Sequence, residues 1–391
     1  MKNFRLPIEF LPYLILFLFS FFMLSSYAEE QIATPTFATP QSLKEAKITT
    51  SDEALKLLES PAFYDELQQI AKQISPSAIE QTGMFNKTAM LSMLGEHRKL
   101  LSLIKQHENG IAYSHYILDS ENKLAIRQKD PRDYAQTLTQ SLSKKIAVMD
   151  SESLLRLTNA LGWTVPGAVD YMTNLFKNYQ NSPTMNEQQA MSLVVNSHLY
   201  YVLKNVIPIS RELLTNEQNK RYDITPDTLI STPDGIEMSA TIVKLKGDKQ
   251  KRPTALQFTI YADETAHIRT AIHAAAHGYI GVVVNSRGKR SSSNEIVPWE
   301  HEGEDATRAI DWISKQAWSN GEVVMYGGSY NGFTQWAAAK HMHPALKAMA
   351  PYTAASLITG LPYENNIVLT GNYEWASFVT NNKTVDSSVY S

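Results

Sequence analysis

The most constraining feature of this 391-residue sequence is an apolar strand that breaks at two glycines, presents one serine and continues as an alanine-rich helix. The stretch reads Val323-Val324-Met325-Tyr326-Gly327-Gly328-Ser329-Tyr330-Asn331-Gly332-Phe333. This succession predicts a nucleophile elbow, a strained turn that raises the serine hydroxyl above the edge of a sheet. A hydroxyl held in that way is suited to attack on a carbonyl carbon, so Ser329 is the candidate nucleophile.

A plainer interpretation of the same residues is an ordinary glycine-rich turn, in which glycines relieve crowding or cradle a phosphate. No Lys-Ser or Lys-Thr pair follows, so a phosphate-binding P-loop is excluded. The spacing also departs from the general Gly-x-Ser-x-Gly pattern, because Asn331 stands at the last glycine position and Gly332 follows one residue later. The motif by itself leaves both interpretations open.

Further landmarks accompany the elbow in a fixed order along the chain. They are Pro233-Asp234-Gly235, Thr259-Ile260-Tyr261, His277-Gly278-Tyr279, Arg287-Gly288, Glu304-Asp305, Asp311-Trp312-Ile313 and Gln316-Ala317-Trp318-Ser319-Asn320-Gly321. Together with an elbow of the form Gly-x-Ser-Tyr-x-Gly, they resemble the CocE/NonD-type α/β-hydrolase family of X-prolyl dipeptidyl peptidases, cocaine esterase and α-amino-acid ester hydrolases. The resemblance covers residues 225 to 380. It implies a serine hydrolase that cleaves ester or amide bonds through an acyl-enzyme.

Attack on a carbonyl creates an oxyanion, which needs hydrogen-bond donors fixed in advance. The backbone N–H of Tyr330, directly after the nucleophile, is expected to be one donor. The resemblance implies that the hydroxyl of Tyr261 is the other, although a tyrosine at a strand end often only packs its ring. The substrate would be a small ester or a short peptide. No cofactor is implied, and the histidines show no metal-ligand spacing.

Other landmark residues are expected to serve the fold. Relatives carry an Asp-x-Arg-Gly turn where this chain has Asn285 before Arg287, and we expect this arginine to be structural. Glu304 and Asp305 are expected to begin a helix, where acidic side chains favour the positive end of the dipole. The tryptophans of the landmarks are expected to be packing anchors.

The amino terminus has the pattern of an export signal. Lys2 and Arg5 precede an apolar run over residues 10–24, which Ser26-Tyr27-Ala28 closes. This predicts a signal peptide over residues 1–28, whose cleavage leaves no stable membrane span. The alternative is an uncleaved anchor, for which a run of about 15 residues is short. We expect the mature protein to be periplasmic or secreted.

Composition excludes several classes of function. The chain has no cysteine, which rules out disulfides, a thiol nucleophile and a cysteine-zinc site. Its formal net charge of -3 gives no electrostatic footprint for nucleic acid. Self-association cannot be read from the sequence.

Changes in periodicity divide the rest of the chain. The predicted parts are a helical domain over residues 29–215, a polar linker over 216–226, an incomplete α/β-hydrolase core over 227–355 and the start of a cap insertion over 356–391. The fold class is therefore α/β, an amino-terminal all-helical region followed by an incomplete α/β-hydrolase sheet and the start of a helical cap. The helical domain could cap the site, mediate self-association or bind a partner.

The residues expected after the nucleophile are not evident. In α/β hydrolases an Asp or Glu and then a His follow the serine, yet no histidine follows His343. His341 and His343 lie on the helix that starts at the elbow, about 18 to 21 Å from Ser329 at 1.5 Å per residue. The 40 residues after Pro351, from 391 minus 351, are fewer than the roughly 50 that usually reach the catalytic histidine. We therefore expect the catalytic Asp and His to be missing.

Three interpretations follow. The chain is an amino-terminal piece of a longer hydrolase with little or no activity, a degenerate hydrolase that binds a partner without catalysis, or an unusual enzyme that recruits His267 or His301 as its base. A sheet that stops after its sixth strand would expose an edge and an apolar face, which predicts poor solubility unless the residues before the linker shield it.

Overall fold

The computed structural model describes residues 35–129, 133–356, 361, 363–364 and 367–390. The predicted signal peptide over residues 1–28 lies outside the described residues. Within the described residues, no helix is both long enough and apolar enough to cross a bilayer.

The amino-terminal region is helical. Its helices are α1 (Gln41–Ala46), α2 (Ser51–Leu58), α3 (Pro61–Gln73), α4 (Pro76–Gln81), α5 (Met84–Met93), α6 (His97–Lys105), α7 (Ser114–Lys129), α8 (Tyr134–Ala147), α9 (Ser151–Ala160), α10 (Val165–Tyr179) and α11 (Glu187–Arg221). Local signals explain several of the starts. Thr50 and Glu53 form a capping box before α2, and Pro61 and Pro76 occupy first-turn positions, where proline loses no helical hydrogen bond.

A small antiparallel sheet departs from the all-helical prediction for this region. Strand β1 (Thr36–Ala38) pairs with β2 (Thr184–Asn186), and the side chains of Phe37 and Met185 face each other in the buried middle of the pair. The pairing joins the start of the region to the residues that precede α11.

Helix α11 is the central element of the helical region. It packs against α3, α5, α7, α8 and α10, and Leu193, Val194 and Leu203 are fully buried in these contacts. Each such side chain contributes about 1.5–3 kcal/mol of burial free energy. The apolar faces of these helices therefore form the core of the region.

The predicted linker over residues 216–226 is not a separate segment. Helix α11 continues to Arg221, and the first strand of the large sheet begins at Tyr222. The polar residues are engaged at the helix end: the Nε of Arg221 donates to Glu217 (2.8 Å), and its guanidinium donates to two backbone carbonyls near the end of α8 (2.8 and 2.9 Å). A charge-rich composition here reflects intrahelical pairing and capping rather than an irregular chain.

The second region is a mixed six-stranded sheet. Its strands are β3 (Tyr222–Ser231), β4 (Glu237–Leu245), β5 (Arg252–Thr259), β6 (Ile280–Asn285), β7 (Ser319–Ser329) and β8 (Leu346–Ala354), in the order β3-β4-β6-β5-β7-β8. The pairs β3–β4 and β4–β6 are antiparallel, and the remaining pairs are parallel. Helices α12 (Glu264–Ala276), α13 (Glu302–Ser314) and α14 (Tyr330–Ala339) connect the parallel strands. This alternation confirms the predicted α/β class.

Strand β6 is buried along its whole length, as its valine-rich sequence predicts for a strand covered on both faces. Gly281 within it allows α12 to approach closely, since a Cβ there would lie 2.0 Å from the carbonyl oxygen of Ala271. On the other face, Leu256, Val282 and Ile310 belong to one apolar core between the sheet and α13.

The carboxyl ends of β5, β6 and β7 point toward one edge of the sheet, where ligands bind in open α/β folds. The chain after β8 returns to this edge. It contains the two short strands β9 (Tyr363–Glu364) and β10 (Ile367–Val368), helix α15 (Gly371–Thr380) and a 3-10 turn over Ser387–Tyr390.

Candidate active site

Ser329 lies where β7 ends and α14 begins. Its backbone has φ 55° and ψ -124°, a conformation that is costly for a residue with a side chain. The residue is also exposed. The strained turn and accessible serine expected of a nucleophile elbow are thus both present.

Close packing explains the unusual glycine spacing around the elbow. A Cβ on Gly328 would lie 2.4 Å from the ring of Tyr352, and one on Gly332 would lie 2.8 Å from the Cα of Ala354. Gly332 therefore allows α14 to approach β8 closely. Asn331, at the usual glycine position, is buried without blocking that approach.

A buried amide that the sequence reasoning missed holds the elbow to its neighbours. The Nε2 of Gln335 donates to the carbonyls of Gly327 (3.1 Å) and Asn331 (2.9 Å), and its Oε1 accepts from the N–H of Ala350 (3.0 Å). One side chain thus joins both sides of the turn to β8. No distinct signal in the sequence marked it, because Gln335 is one of three buried polar residues of α14, with Asn331 and Thr334.

Tyr261 follows β5 and faces the elbow. Its ring lies 6.2 Å from that of Tyr330, in an edge-on arrangement. The indole Nε1 of Trp375 donates to the Tyr261 hydroxyl (3.0 Å). Because an indole N–H can only donate, the Tyr261 oxygen is the acceptor and its own proton remains free for another acceptor.

The side chain of Tyr330 is anchored below the turn. Its hydroxyl donates to Glu302 in a short hydrogen bond and accepts from the N–H of Trp299 (3.1 Å). Burial raises the pKa of both the Glu302 carboxyl and the Tyr330 hydroxyl. This contact fixes the residue whose backbone N–H is the predicted oxyanion donor. Sequence reasoning missed Glu302, because it placed the helix start at Glu304 and Asp305, whereas α13 begins at Glu302.

Aromatic rings surround these groups. The ring of Trp299 lies 4.5 Å from Tyr330, 4.7 Å from Phe333 and 5.4 Å from Trp375. Phe378 lies 6.4 Å from Tyr261. The elbow is therefore flanked by apolar rings. Beside them, a hydrogen bond or an electrostatic interaction with a developing charge is stronger than in water.

Arg287 belongs to a network of ion pairs that connects loops to α13. It makes two hydrogen bonds to the buried Asp305 (2.6 and 2.7 Å), and Arg308 donates to Asp234 (2.7 Å). This network ties the turn before β4 and the loop after β6 to α13. Pairing with Asp305 raises the pKa of Arg287. Trp312 and Trp318 pack against the sheet core, edge-on to each other at 6.3 Å.

The histidines are engaged elsewhere. The Nε2 of His267 is 2.8 Å from the backbone oxygen of Tyr261, and burial lowers its pKa. His301 is partly exposed, with Nε2 3.9 Å from Glu300, and His343 lies 3.6 Å from Asp311. Among the described residues, neither a histidine nor a carboxylate makes a hydrogen bond to the hydroxyl of Ser329.

Two further features do not add to the site. An open cleft of about 390 Å³ is lined by Arg287, Asn294, Glu295, Val297 and His301, and neither Ser329 nor Tyr261 contributes to it. In the part of the chain that the structure describes, no group of acidic, histidine or cysteine residues is arranged to hold a metal ion.

The sheet region is similar to known proteins. Residues 234–389 match the family model for X-Pro dipeptidyl-peptidase (S15 family). Cocaine esterase from Rhodococcus sp. (strain MB1 Bresler) is 30% identical over 148 residues, which are 36% of this chain and 25% of the esterase. The chain therefore spans about a quarter of the length of that relative.

Solved structures align over a similar share of the chain. An α-amino acid ester hydrolase is 26% identical, with a TM-score of 0.37, and the alignment covers 42% of this chain and 31% of that one. A CocE/NonD family hydrolase from Staphylococcus aureus is 26% identical, with a TM-score of 0.29, over 32% of this chain and 27% of the other.

Proposed function

Residues 234–389 belong to the X-Pro dipeptidyl-peptidase (S15) family, as the motif order predicted, and from this premise we propose that Ser329 is the nucleophile of an acyl-transfer site. The substrate class is a small ester or the amide bond of a short peptide. The observation that carries the proposal is the positive φ of an exposed, non-glycine Ser329 at the end of β7. Strain of this kind persists only where the surrounding structure enforces it.

The proposed reaction has two halves. The Oγ of Ser329 bonds to the acyl carbon while a base takes its proton, and the carbonyl oxygen becomes an oxyanion. The backbone N–H of Tyr330 and the free proton of the Tyr261 hydroxyl donate to that oxyanion. The carbon–oxygen or carbon–nitrogen bond then breaks as the leaving group takes up the proton. Water then attacks the acyl carbon while the base takes a proton from it. The bond between that carbon and the Oγ of Ser329 breaks, and the serine oxygen takes up the proton.

The base is the unassigned part of this scheme. No described histidine or carboxylate bonds to Ser329, so we propose that the described residues alone support only slow acyl transfer, which relies on the oxyanion donors. His267 is disfavoured as the base, because its Nε2 is held by the carbonyl of Tyr261 and its Nδ1 is buried. The second candidate function, binding without catalysis, is favoured by the same lack of a base contact.

A fluorophosphonate probe separates the two candidates. The full chain is incubated with the probe, with and without added imidazole as an external base, beside Ser329→Ala and Tyr261→Phe. We expect slow labelling that imidazole accelerates, that Ser329→Ala abolishes and that Tyr261→Phe slows by about tenfold or more, as when one oxyanion donor is lost. Tyr373→Phe, which changes an exposed tyrosine, is the matched control and should label like the wild type. A folded protein that stays unlabelled under all conditions favours the binding role.

Location is also a proposal. The leader pattern over residues 1–28 supports export to a periplasm or beyond it. Amino-terminal sequencing of the protein recovered from the periplasmic fraction of an expressing bacterium tests this, with Glu29 as the expected first residue.

A further inference from the structure

Lys289 is a fully buried lysine in the loop after β6. Its Nζ donates to three backbone carbonyls, those of Val379 (2.7 Å), Asn382 (2.7 Å) and Thr384 (3.1 Å). Among the described residues, no carboxylate forms an ion pair with this amine. A buried ammonium without a counter-charge is costly unless each of its protons has an acceptor, and here each one does.

All three carbonyls belong to the end of α15 and the turn that follows it. Val379 is in the last turn of the helix, whose final carbonyls lack helical partners. A cation at that end is also favoured by the helix dipole. Burial lowers the pKa of Lys289 to about 8, so most of the amine keeps its three protons at pH 7.

Backbone hydrogen bonds reinforce the same contact. The N–H of Arg290 donates to the carbonyl of Lys383 (2.8 Å), and the N–H of Val385 donates to that of Ala262 (3.2 Å). The loops after β5 and after β6 therefore both form hydrogen bonds with the segment that follows α15. Lys289 adds side-chain hydrogen bonds to this contact.

Helix α15 in turn carries the side chain that contacts Tyr261. Trp375 lies one turn before Val379 and donates its indole N–H to the Tyr261 hydroxyl (3.0 Å). Because that bond occupies one lone pair of the hydroxyl, it determines where the remaining proton points. The placement of α15 thus sets the direction of the predicted oxyanion donor.

We propose that Lys289 is a positioning residue, which anchors the carboxyl end of α15 so that Trp375 holds the Tyr261 hydroxyl toward Ser329. The anchoring is independent of catalysis. Its effect on the reactivity of Ser329 rests on the proposed function.

The anchoring is tested by fluorine NMR of the full chain grown with 5-fluorotryptophan. The resonance of Trp375 is assigned as the one that Trp375→Phe removes. We expect it to shift in Tyr261→Phe, which loses the hydroxyl, and in Lys289→Met, which keeps the length of the side chain and loses the donors. Lys383→Met is the matched control, since that lysine is exposed in the same segment, and should leave the resonance in place. An unshifted Trp375 resonance in a folded Lys289→Met protein overturns the proposal.

The effect on Ser329 is tested by a double-mutant cycle on the fluorophosphonate labelling rate. Lys289→Met and Trp375→Phe should each slow labelling by about fivefold, in the range of one lost hydrogen bond. The double variant should be no slower than either single one, because Lys289 acts through Trp375. Additive losses would mean that Lys289 does not act through Trp375. If the wild type shows no labelling at all, the proposed function fails while the fluorine result still decides the anchoring.

Lys289→Met could also fail to fold. In that case, amide hydrogen exchange of the wild type tests the anchoring of α15. The amides of Val385 and Asp386, which bond to Ala262 and Phe378, should exchange together with α15 and at least tenfold more slowly than an unstructured peptide. Exchange at the unstructured rate would overturn the anchoring.

Discussion

The two regions of this chain use buried polar side chains in different ways. In the helical region, His198 bonds to Ser92 (2.9 Å) and His97 to Ser120 (3.1 Å), so the polar groups pair with one another inside the bundle. In the sheet region, Gln335, Glu302 and Lys289 each bond to a segment that forms or flanks the elbow. The first pattern stabilises one packing of helices. The second fixes segments around the elbow to one another.

The contrast shows which polar groups point to a site. A buried hydrogen-bonded side chain is by itself common in folded proteins. At the elbow, buried Gln335 and Glu302 bond to residues on either side of the exposed and strained Ser329, and this combination distinguishes the turn. In the helical region, by comparison, His198 and His97 bond to Ser92 of α5 and Ser120 of α7, which lie inside regular helices.

Acidification should destabilise the helical region most, and this is the largest effect we expect. Burial lowers the pKa of His115 and of His198 from 6.5 to about 3. Below pH 6.5 the unfolded chain takes up these protons and the folded chain does not, so stability falls as the pH falls from 6.5 toward 3. At pH 5 the loss is about 2 kcal/mol for each histidine.

Urea unfolding followed by circular dichroism at pH 7 and pH 5 measures this loss. His115→Gln should reduce the pH dependence, and the same change at the exposed His107 is the matched control. A pH dependence that survives the loss of both His115 and His198 would assign it to other titratable groups, such as the carboxyl groups of Glu59 and Asp150, whose pKa values hydrogen bonding lowers.

Substitution at the elbow should give the next largest effect, confined to the sheet region. Gly332→Ala places a Cβ 2.8 Å from Ala354 and should cost about 1–3 kcal/mol through overpacking. Gly371→Ala, where the added Cβ meets nothing within 4 Å, is the matched control and should be neutral. Differential scanning calorimetry provides the comparison, and equal melting temperatures would show that α14 and β8 separate easily.

The smallest expected effect concerns the outer edge of the sheet. Strand β8 has no strand neighbour on its outer side among the described residues, and the exposed Tyr352 lies on it. Ala348→Lys should reduce self-association by placing a charge on this edge. Light scattering after size-exclusion chromatography, over a range of protein concentrations, measures the degree of self-association. Gln73→Lys, an exposed position of the helical region, should change nothing, and an equal effect of both would point to net charge instead.

The elbow was predictable from the sequence because its signal is local. Strand, glycines, serine and helix follow one another within eleven residues of β7 and the start of α14. Contacts between distant segments were not predictable in the same way. Trp375 and Tyr261 are 114 positions apart, and Glu302 lies 28 positions before Tyr330. Nothing in either local sequence indicates its partner.

The prediction of a linker was wrong for a related reason. Polar composition indicated a linker over residues 216–226, whereas Arg221 and Glu217 pair along α11 and extend the helix. The roles of Ser329, Tyr330 and Tyr261 stay predictions.

The direct passage from α11 into β3 has a mechanical consequence. A helix of 35 residues that runs without a spacer into an edge strand resists twisting, because any rotation of one region must unwind hydrogen-bonded turns. Leu155 of α9 is buried together with Val243 and Ile272 of the sheet region, which adds a second fixed point. Rotation of one region against the other is therefore opposed at two places, the α11–β3 junction and the contact of α9 with the sheet region.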